Sequence, residues 1–430
     1  MLRISKDIIN SFNNPDTLGI ISSYPAKNGE VARDNAVSRY TYLLTKNFSK
    51  SQKVVIFCES RKKDEKPFLR SPNILVVPTY KVNSLSFFVS LLSKINEFSA
   101  IKDFLVQFEF SVFGGKVVIP QFLALLVALK VIGKSTKVMF HQVVNDINVL
   151  SGHLAIKRNG FKSLILNYLL RLFYTISGLL VDKVFVHDEV LADRIRNFVN
   201  ETKIRIIPHG IDKGKKITSK FSRASKKYFG IDENAKVIGI FGYCSWYKGT
   251  DWLIRNFARF VKENPRLNIR LLVAGGESPT LKGTIAYRKY YNKLMNVIKR
   301  ANGSIVYTGY VPDCDVKRVF AAVDLFVFPY RAKMSASGAF SLCLGYGKPY
   351  IVSRAFSENI SKDESGERIF DLNYTSFKRA LKGSLLKRDG QLVSVQCRGR
   401  SWEDVSLMYL KESLSVVSPL LKINYALLKA

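Results

Sequence analysis

The sequence alternates short apolar runs with longer segments of helical spacing, and this alternation constrains the fold more than any other feature. The runs are apolar nearly throughout, as strands of a parallel sheet buried on both faces should be. A strand, a helix and another strand form the repeating unit of doubly wound α/β sheets. The predicted strands are TLGIISSYP, KVVIFCES, NILVVPT, DFLVQFEF, KVMFHQV, KVFVHD and KIRIIPHG in the first half, and KVIGIFGY, LNIRLLVAG, SIVYTGY, DLFVFPY and KPYIVS in the second.

A chain of 430 residues exceeds the usual size of one hydrophobic core, so two domains are expected. The strand pattern is interrupted after Gly210-Ile211-Asp212 by a basic polar stretch, which we interpret as a solvated linker with a short helix. We predict a first domain over residues 1–210, a second over 211–400, and a helical segment over 401–430 that returns to the first domain. Two facing sheets of this kind bind ligands beyond the carboxyl ends of their strands, in a cleft.

Lys and Arg exceed Asp and Glu by enough to give a formal net charge of +33. Such a charge must meet anions, which could belong to nucleic acid, a membrane surface or phosphorylated substrates, unless it reflects a general compositional bias. No helix-turn-helix, RNP-like or zinc-finger pattern accompanies it, which argues against nucleic acid. The five cysteines and four histidines are scattered without metal-ligand spacing, so we predict reduced thiols and no metal site.

One segment, KSLILNYLLRLFYTISGLLVDK at 162–183, is long and apolar enough to raise the question of a membrane. Asn167 and Arg171 interrupt it, so an amphipathic helix is favoured over a spanning one. A helix at a membrane interface and a core helix of the α/β domain remain about equally supported. The N-terminal MLRISKDIINSFNNPD is too polar for a secretory signal.

Three candidate site residues lie at or after the ends of predicted strands of the first half. Asn28 precedes a glycine that opens a helix, where free backbone amides could receive a phosphate, although this is also common punctuation. Glu109 is an acid in an apolar run, and it needs either a raised pKa or an ion pair with a basic residue. His141 ends an apolar strand, and a structural role is slightly favoured over a catalytic one.

The second half contains two stretches suited to an anion. In FGYCSWYKGTDWLI, a strand is followed by a loop and then by Lys248-Gly249 at the start of a helix, where the lysine could reach a phosphate. In PYRAKMSASGAFSLCLGYG, a helix begins at Ser335, Ser337 and Gly338, with Arg331 nearby and no acidic residue. Serine hydroxyls and bare amides at a helix start form a phosphate cradle. The pair Asp313 and Asp315 reads as a helix cap and first turn, not as a metal site.

The order of these motifs resembles that of GT-B fold glycosyltransferases of the fourth, retaining family. The match runs through SSYP with NGEVA, Gln107 to Gly115, Met139-Phe140-His141, IPHGID, FGYCSWYKG, TGYVPD, FPYRAKMSASG and GYGKP. Each motif is weak, whereas the series covers nearly the whole chain in the family's order. The resemblance implies two Rossmann-like domains facing a cleft, a C-terminal helix packed back on the first domain, and a nucleotide-sugar donor linked to GDP or UDP.

The resemblance also implies roles for single residues. Lys248 and the helix start should hold the donor diphosphate, His141 should lie by the transferred sugar, and catalysis should need no metal. The TGYVP loop should contact the nucleobase through its backbone. The implied donor-binding set is Gly242, Lys248, Tyr310, Val311, Pro312, Arg331, Ser335, Ser337, Gly338 and Ala339, and the implied acceptor-side set is Asn28, Gly29, Glu109, Gly114 and Gly115.

Three departures from the family pattern stand out. Met334 and Leu342 occupy the positions of two glutamates that the broader family carries before the G-K-P turn. The arginine that often precedes the loop lysine is replaced by Tyr243 or Ser245, for which Arg331 could substitute. Phe108 replaces a histidine of the narrower group, a change that could alter acceptor choice.

The preferred hypothesis is a hexosyltransferase, for mannose or glucose, that serves a lipid-linked or glycan acceptor from the cytoplasmic face of a membrane. The net charge and the apolar segment at 162–183 motivate the anionic membrane surface as a partner. The alternatives are a soluble transferase that makes a saccharide or small glycoside, a non-catalytic GT-B scaffold, and a basic nucleic-acid-binding protein.

Overall fold

The chain folds into two compact units, each made of segments that are distant in sequence. The computed structural model describes residues 6–27, 35–62, 65–110, 112–114, 118–150, 157–212, 216–279, 281–301, 303–333, 335–360, 368–386 and 399–414. The first unit comprises Met1–Asn145, Ile165–Gly210 and Gly399–Ala430, and the second comprises Asp146–Leu164 and Ile211–Arg398.

The first unit is built on an eight-stranded sheet with the strand order β3-β4-β2-β1-β5-β6-β7-β8. All neighbouring strands are parallel except β3 and β4, which form an antiparallel edge. The strands are β1 (Leu18–Ile21), β2 (Val54–Glu59), β3 (Phe68–Ser71), β4 (Ile74–Tyr80), β5 (Asp103–Phe108), β6 (Ser135–Phe140), β7 (Lys183–Val186) and β8 (Ile204–Ile206).

The second unit is built on a six-stranded parallel sheet with the order β11-β10-β9-β12-β13-β14. The chain leaves β9 towards β10 on one side and later returns to β12 on the other, which places the switch point of the sheet between β9 and β12. Ligands of open α/β sheets bind at such a point. The strands are β9 (Lys236–Phe241), β10 (Ile269–Ala274), β11 (Ile305–Gly309), β12 (Leu325–Phe328), β13 (Tyr350–Ser353) and β14 (Ile369–Phe370).

Helices connect the strands in both units. They are α1 (Lys6–Ser11), α2 (Ala36–Lys46), α3 (Phe87–Glu97), α4 (Val118–Val131), α5 (Phe161–Leu180), α6 (Glu189–Arg196), α7 (Ser219–Tyr228), α8 (Thr250–Glu263), α9 (Ile285–Arg300), α10 (Asp313–Ala322), α11 (Gly338–Gly345), α12 (Tyr374–Leu386) and α13 (Trp402–Ser413). Short 3-10 helices occur at Ile147–Leu150, Glu201–Lys203, Trp246–Lys248 and Arg354–Asn359.

Both sheets are buried on both faces, as the apolar runs predict. In β2, Val55 and Phe57 enter one apolar cluster of the first unit, whereas Val54 and Ile56 enter the other. The alternation follows from the strand period of two, which sends successive side chains to opposite faces. All the strands predicted from the sequence are present, and β3 and β14 are additional.

The C-terminal helix α13 packs on the first unit, as predicted. Trp402, Val405 and Tyr409 lie in the same apolar cluster as Leu18 and Ile20 of the central strand β1. The helix begins at a capping box in which the Ser401 hydroxyl accepts from the backbone of Asp404 and the Asp404 carboxylate accepts from the backbone of the serine. The structure therefore completes the core of the first unit with residues that follow the whole second unit in sequence.

Candidate active site

The carboxyl edge of the second sheet carries most of the predicted donor-binding residues. Gly242 directly follows β9, Tyr310 directly follows β11, and Arg331 lies three residues beyond β12. Because the strands are parallel, the loops that follow them meet at one edge of the sheet. The sequence-predicted donor set is thus brought together within one unit.

The side chain of Lys248 crosses the switch point of this sheet. A Cβ atom added to Gly242 would lie 3.0 Å from Lys248 Nζ and 3.8 Å from Ala339 Cβ. The ammonium group therefore occupies the space beside a glycine, near the first turn of α11. Three residues predicted from two separate motifs converge here, and a side chain at position 242 would meet the ammonium group.

Lys248 lies in an environment that favours binding of an anion to its side chain. Desolvation lowers the pKa of its ammonium group to about 8. Among the described residues, no acidic side chain forms an ion pair with it. A bound diphosphate would supply the missing negative charge and would favour the protonated form.

The start of α11 provides amide donors beside this lysine. The Ser337 hydroxyl caps the helix by accepting from the backbone N–H of Phe340 at 3.2 Å, and it contacts the Tyr330 hydroxyl at 2.9 Å. The cap leaves the N–H groups of Gly338 and Ala339 for a ligand, while Ser335 lies half-buried just upstream. The first turn contains no acidic residue, so nothing in it competes with an anion.

Arg331, predicted to bind the donor, is engaged by an acidic side chain and a backbone carbonyl of the same unit. Its guanidinium makes two hydrogen bonds of 2.9 Å to the Asp251 carboxylate and one of 2.6 Å to the backbone oxygen of Trp246. Its backbone N–H donates to the carbonyl of Tyr247 at 2.6 Å. Arg331 therefore forms an ion pair with Asp251 and holds the turn that contains Lys248. Its predicted substitution for the missing arginine stays a prediction.

The turn at Lys248 also needs a glycine at the next position. Gly249 has φ +72°, in the left-handed region, and an added Cβ would lie 2.1 Å from the carbonyl oxygen of Pro329. The loops after β9 and β12 therefore touch through backbone atoms. The glycine that follows Lys248 in the sequence is therefore required by the close packing of these two loops at the switch point.

The loop after β11 offers aromatic faces at the same edge. The rings of Tyr310 and Tyr243 lie nearly parallel, with interplanar angle 19° and centroids 6.4 Å apart. Tyr310 is exposed, and Val311 and Pro312 behind it are half-buried. The predicted cap at Asp313 is wrong by one residue, because Pro312 is the N-cap and Asp313 is the first residue of α10.

In the first unit, His141 belongs to a buried network at the carboxyl ends of β5 to β8. Its Nε2 lies 2.8 Å from the Gln107 side chain, and its Nδ1 lies 3.0 Å from Nε2 of His187. Burial lowers the pKa of His141 well below its ordinary value, and lowers that of His187 to about 4 and that of His209 to about 3. All three rings are therefore neutral at pH 7.

Neutral rings fix the direction of every hydrogen bond in this network. Nδ1 of His187 faces the carbonyl of Ile207 at 3.2 Å, so it donates and Nε2 accepts from His141. Nε2 of His141, which faces Gln107 Oε1 at 2.8 Å, can then accept only if the oxygen and nitrogen of the Gln107 amide exchange places. This orientation also gives the Gln107 nitrogen a partner that it otherwise lacks and turns its oxygen towards the Tyr409 hydroxyl.

Both ring nitrogens of His141 are thus used inside the first unit. A catalytic role, implied by the family resemblance, would require one of these bonds to break. The structure favours the structural role that the sequence left open. Sequence reasoning missed this network because its four members, His141, Gln107, His187 and Tyr409, lie in four different parts of the chain.

The loop after β1 is anchored by an acid that the sequence did not single out. Glu59 accepts from the hydroxyl of Ser23 at 2.7 Å, from the backbone of Tyr24 at 3.3 Å and from Arg61 at 2.9 Å. Burial raises the pKa of Glu59 despite these bonds. The signal was an acid at the end of an otherwise apolar strand. The predicted residues Asn28 and Gly29, further along this loop, lie outside the described residues.

The remaining acceptor-side predictions lie after β5. Glu109 is half-buried, and its carbonyl accepts from the backbone of Val112 at 3.0 Å. Gly114 has φ +112°, and an added Cβ would lie 2.3 Å from the Asn83 side chain, so only glycine fits this turn. Gly115 lies outside the described residues.

Part of the second unit is similar in sequence to known proteins. Residues 235–385 match the family Glycosyl transferases group 1. A stretch of 154 residues is 26% identical to mannosylfructose-phosphate synthase of Agrobacterium fabrum and covers 35% of this chain. The match spans 32% of the length of that curated relative.

Comparison of structures extends the likeness to the whole chain at the level of the fold. Sucrose-phosphate synthase of Thermosynechococcus elongatus superposes with a TM-score of 0.69 at 12% identity, covering 96% of this chain and 100% of that one. Anabaena HepE with UDP and glucose gives 0.65 at 12% identity, covering 92% and 98%. The trehalose-phosphate synthase of Burkholderia xenovorans, described as UDP-forming, gives 0.66 at 11% identity, covering 92% and 99%.

The predicted GT-B fold is confirmed, with two Rossmann-like units of parallel sheet and a C-terminal helix. The match of residues 235–385 to Glycosyl transferases group 1 agrees with the predicted class of enzyme, which for the whole chain stays a prediction. The motif subgroup predicted from the sequence stays a prediction. Within the described residues, no group of three or more potential metal-ligating side chains occurs.

Proposed function

We propose that the chain is a retaining glycosyltransferase that moves a hexosyl group from a nucleotide sugar to a hydroxyl of a saccharide or sugar phosphate. The observation that carries the proposal is the convergence of Lys248, Gly242 and the start of α11 at one switch point. The site combines a partly desolvated cation with free helix amides, which is a cradle for a diphosphate.

The donor is proposed to bind entirely in the second unit. The diphosphate lies against Lys248 Nζ and the N–H groups of Gly338 and Ala339. The nucleobase lies at the loop of Tyr310, Val311 and Pro312, where the ring faces of Tyr310 and Tyr243 offer stacking surface. UDP-linked glucose is the first donor to test, since HepE was solved with UDP and glucose, and GDP-linked sugars are the alternative.

The reaction is proposed to proceed on one face of the sugar. The bond between the anomeric carbon and the diphosphate oxygen breaks, its electron pair goes to the diphosphate, and the acceptor oxygen bonds to the same face. The acceptor proton passes to the departing diphosphate. Lys248 and the α11 amides stabilise the charge that develops on the leaving group, a role that we propose needs no divalent cation.

The acceptor is proposed to be small and polar in preference to a growing glycan. Three relatives favour this choice, since their names describe synthases of sucrose phosphate, trehalose phosphate and mannosylfructose phosphate. A lipid-linked acceptor remains the second candidate, favoured by the exposed apolar face of α5.

The test is a panel of nucleotide sugars, read first by thermal shift and then by release of nucleoside diphosphate with and without sugar-phosphate acceptors. A ligand that binds only the folded state raises its melting temperature, so the panel identifies the donor. Loss of Lys248 should reduce turnover about a hundredfold or more. The matched control is Lys236→Ala, an exposed lysine at the opposite end of β9.

Two results would contradict the proposal. One is a panel in which no nucleotide sugar shifts the melting temperature. The other is a Lys248→Ala variant that turns over as fast as the Lys236→Ala control. Product of inverted anomeric configuration, seen by NMR, would overturn the retaining assignment alone.

A further inference from the structure

Helix α5 presents an apolar face to solvent, which is the reverse of an ordinary surface helix. Its large exposed side chains recur at helical spacing along one side and are Phe161 (80% exposed), Leu164 (60%), Ile165 (43%), Tyr168 (67%), Leu169 (51%), Leu172 (42%) and Leu179 (65%). We call these residues the α5 stripe. An apolar patch of this extent on a soluble domain marks an interaction surface.

The other side of α5 belongs to the core of the first unit. Phe173 packs against Phe108 and Phe140, with centroids 5.2 Å and 6.0 Å away, and the Tyr174 hydroxyl accepts from the backbone of Val144 at 3.1 Å. The helix is long and apolar enough to cross a membrane by length and composition. The inner face of α5 packs against the sheet of the first unit. The helix could therefore cross a membrane only if the core of that unit unfolded. The outer face alone is available to a partner.

Basic residues flank the α5 stripe on both edges. At about 100° per residue, Lys162 lies about 100° from Phe161 on one side and Arg171 about 80° on the other. Both are exposed. Long basic side chains at the edges of an apolar stripe can reach the head groups of lipids while the stripe enters the acyl region.

Helix α4 extends the same surface. Lys130, in its last turn, donates to the carbonyl of Leu179 at 3.0 Å, which brings the C-terminal ends of α4 and α5 together. Val131 beside it is 79% exposed, and Ile132 is exposed as well. The apolar surface thus continues from Leu179 onto a second element.

The sequence around this surface is almost free of acid. From residue 110 to residue 181 the only acidic residue is Asp146, whereas eight are basic: Lys116, Lys130, Lys134, Lys137, Lys157, Arg158, Lys162 and Arg171. One of the eight, Lys137, is buried in an ion pair with Asp103. A protein partner would usually offer mixed charges, whereas this pattern is complementary to a surface of uniformly negative charge.

We propose that the α5 stripe, with Val131 and Ile132, docks on an anionic lipid bilayer with the axis of α5 parallel to the membrane plane. The docking rests on the exposed face and its charge, and it does not depend on the proposed transferase activity. Vesicle binding without any nucleotide sugar therefore tests it separately.

The experiment sediments the full chain with vesicles of equal parts phosphatidylglycerol and phosphatidylcholine, and with vesicles of phosphatidylcholine alone. Wild type should sediment with the anionic vesicles, weakly with neutral ones, and less at high salt. The double substitution Leu169→Glu with Leu172→Glu should lower partitioning by about tenfold or more, because it puts charge into the buried part of the interface. The control is Leu267→Glu with Ile285→Glu, which makes the same charge change at exposed apolar residues of the second unit.

A spectroscopic reporter keeps the proposal testable if the double variant fails to fold. Tyr168→Trp places an indole on the α5 stripe, and its emission should shift to shorter wavelength with anionic vesicles. Wild type that stays in the supernatant, equal loss in both double variants, or an unshifted emission spectrum of the Tyr168→Trp variant would each overturn the proposal. So would a dimer in light scattering that the Leu169→Glu, Leu172→Glu change dissociates, because the stripe would then bind a second copy.

Discussion

The ammonium group of Lys248 lies beside Gly242 with its pKa lowered to about 8 by desolvation. Only the protonated form attracts a diphosphate, so the proposed donor site loses its charge as the pH rises through about 8. We expect kcat/KM for the nucleotide sugar to be level below this pH and to fall towards tenfold per pH unit above it. A pH profile of donor turnover measures this.

The control for this profile is Lys248→Arg, whose guanidinium stays charged throughout the range. The variant should be less active, since the larger group must fit beside Gly242, but its profile should remain level above pH 8. A wild-type profile that stays level through the same range would show that this titration does not govern donor binding.

Gly249 offers a second test at the scale of one residue. In Gly249→Ala, the new methyl group meets the carbonyl of Pro329 and must push apart the two loops that hold Lys248 and α11. We expect at least about a tenfold loss of kcat/KM for the donor, since small displacements at a binding site have large costs. Steady-state kinetics at fixed acceptor measures it.

Gly230 provides the matched control, because its φ is +68° and nothing lies within 4 Å of an added Cβ. Gly230→Ala should cost only the strain of the left-handed conformation, about 1–2 kcal/mol of stability, with kcat/KM unchanged. Equal kinetics in the two variants would show that the contact with Pro329 does not position the donor site.

Among the elements, α13 joins the end of the described chain to the core of the first unit. Trp402 is buried against Tyr40 and lies over Gly210, where an added Cβ would come within 2.4 Å of the indole. Trp402→Ala should lower the free energy of unfolding by ~3–5 kcal/mol, the usual cost of a large core truncation. Urea unfolding followed by circular dichroism measures this loss.

Glu403→Ala, an exposed change in the first turn of the same helix, should cost less than about 1 kcal/mol. If the two variants unfold at the same urea concentration, the helix contributes little to the stability of the first unit. A wild-type-like Trp402→Ala protein would mean that the cluster closes without this side chain.

The elements show which features a sequence can predict. Strands are predictable because their apolar runs are local, and Gly242, Lys248 and Ser337 are predictable because each lies beside a strand end or a helix start. The pairing of Arg331 with Asp251, 80 residues apart, has no local signal, and neither has the network that ties His141 to His187. Sequence reasoning therefore places the predicted donor loops at one sheet edge, but it cannot show the ion pair that Arg331 forms with a residue of another loop.

At the scale of the molecule, the neutral histidines couple stability to pH. Burial holds the pKa of His187 at about 4 and that of His209 at about 3, whereas unfolded histidines titrate near 6.5. The unfolded chain thus binds more protons, so stability is full above about pH 6.5 and falls as the pH drops towards 4. The urea midpoint of the chain should decline over this window.

His187→Asn removes one of these groups while keeping a donor for the carbonyl of Ile207. We expect a less stable protein at pH 7 with a shallower decline between pH 6.5 and 4. A variant whose stability falls as steeply as that of the wild type would mean that carboxylates, not the buried histidines, govern the acid limb.

The return of α13 to the first unit has a consequence for synthesis on the ribosome. When Gly210 has been made, the face of the first sheet that Trp402, Val405 and Tyr409 cover is still open. About two hundred further residues must be translated first, which takes roughly 10–40 s at ordinary elongation rates. During that interval the second unit, whose segments end at residue 398, can finish folding before the first. The nascent chain therefore carries an apolar surface that chaperones could recognise until α13 emerges.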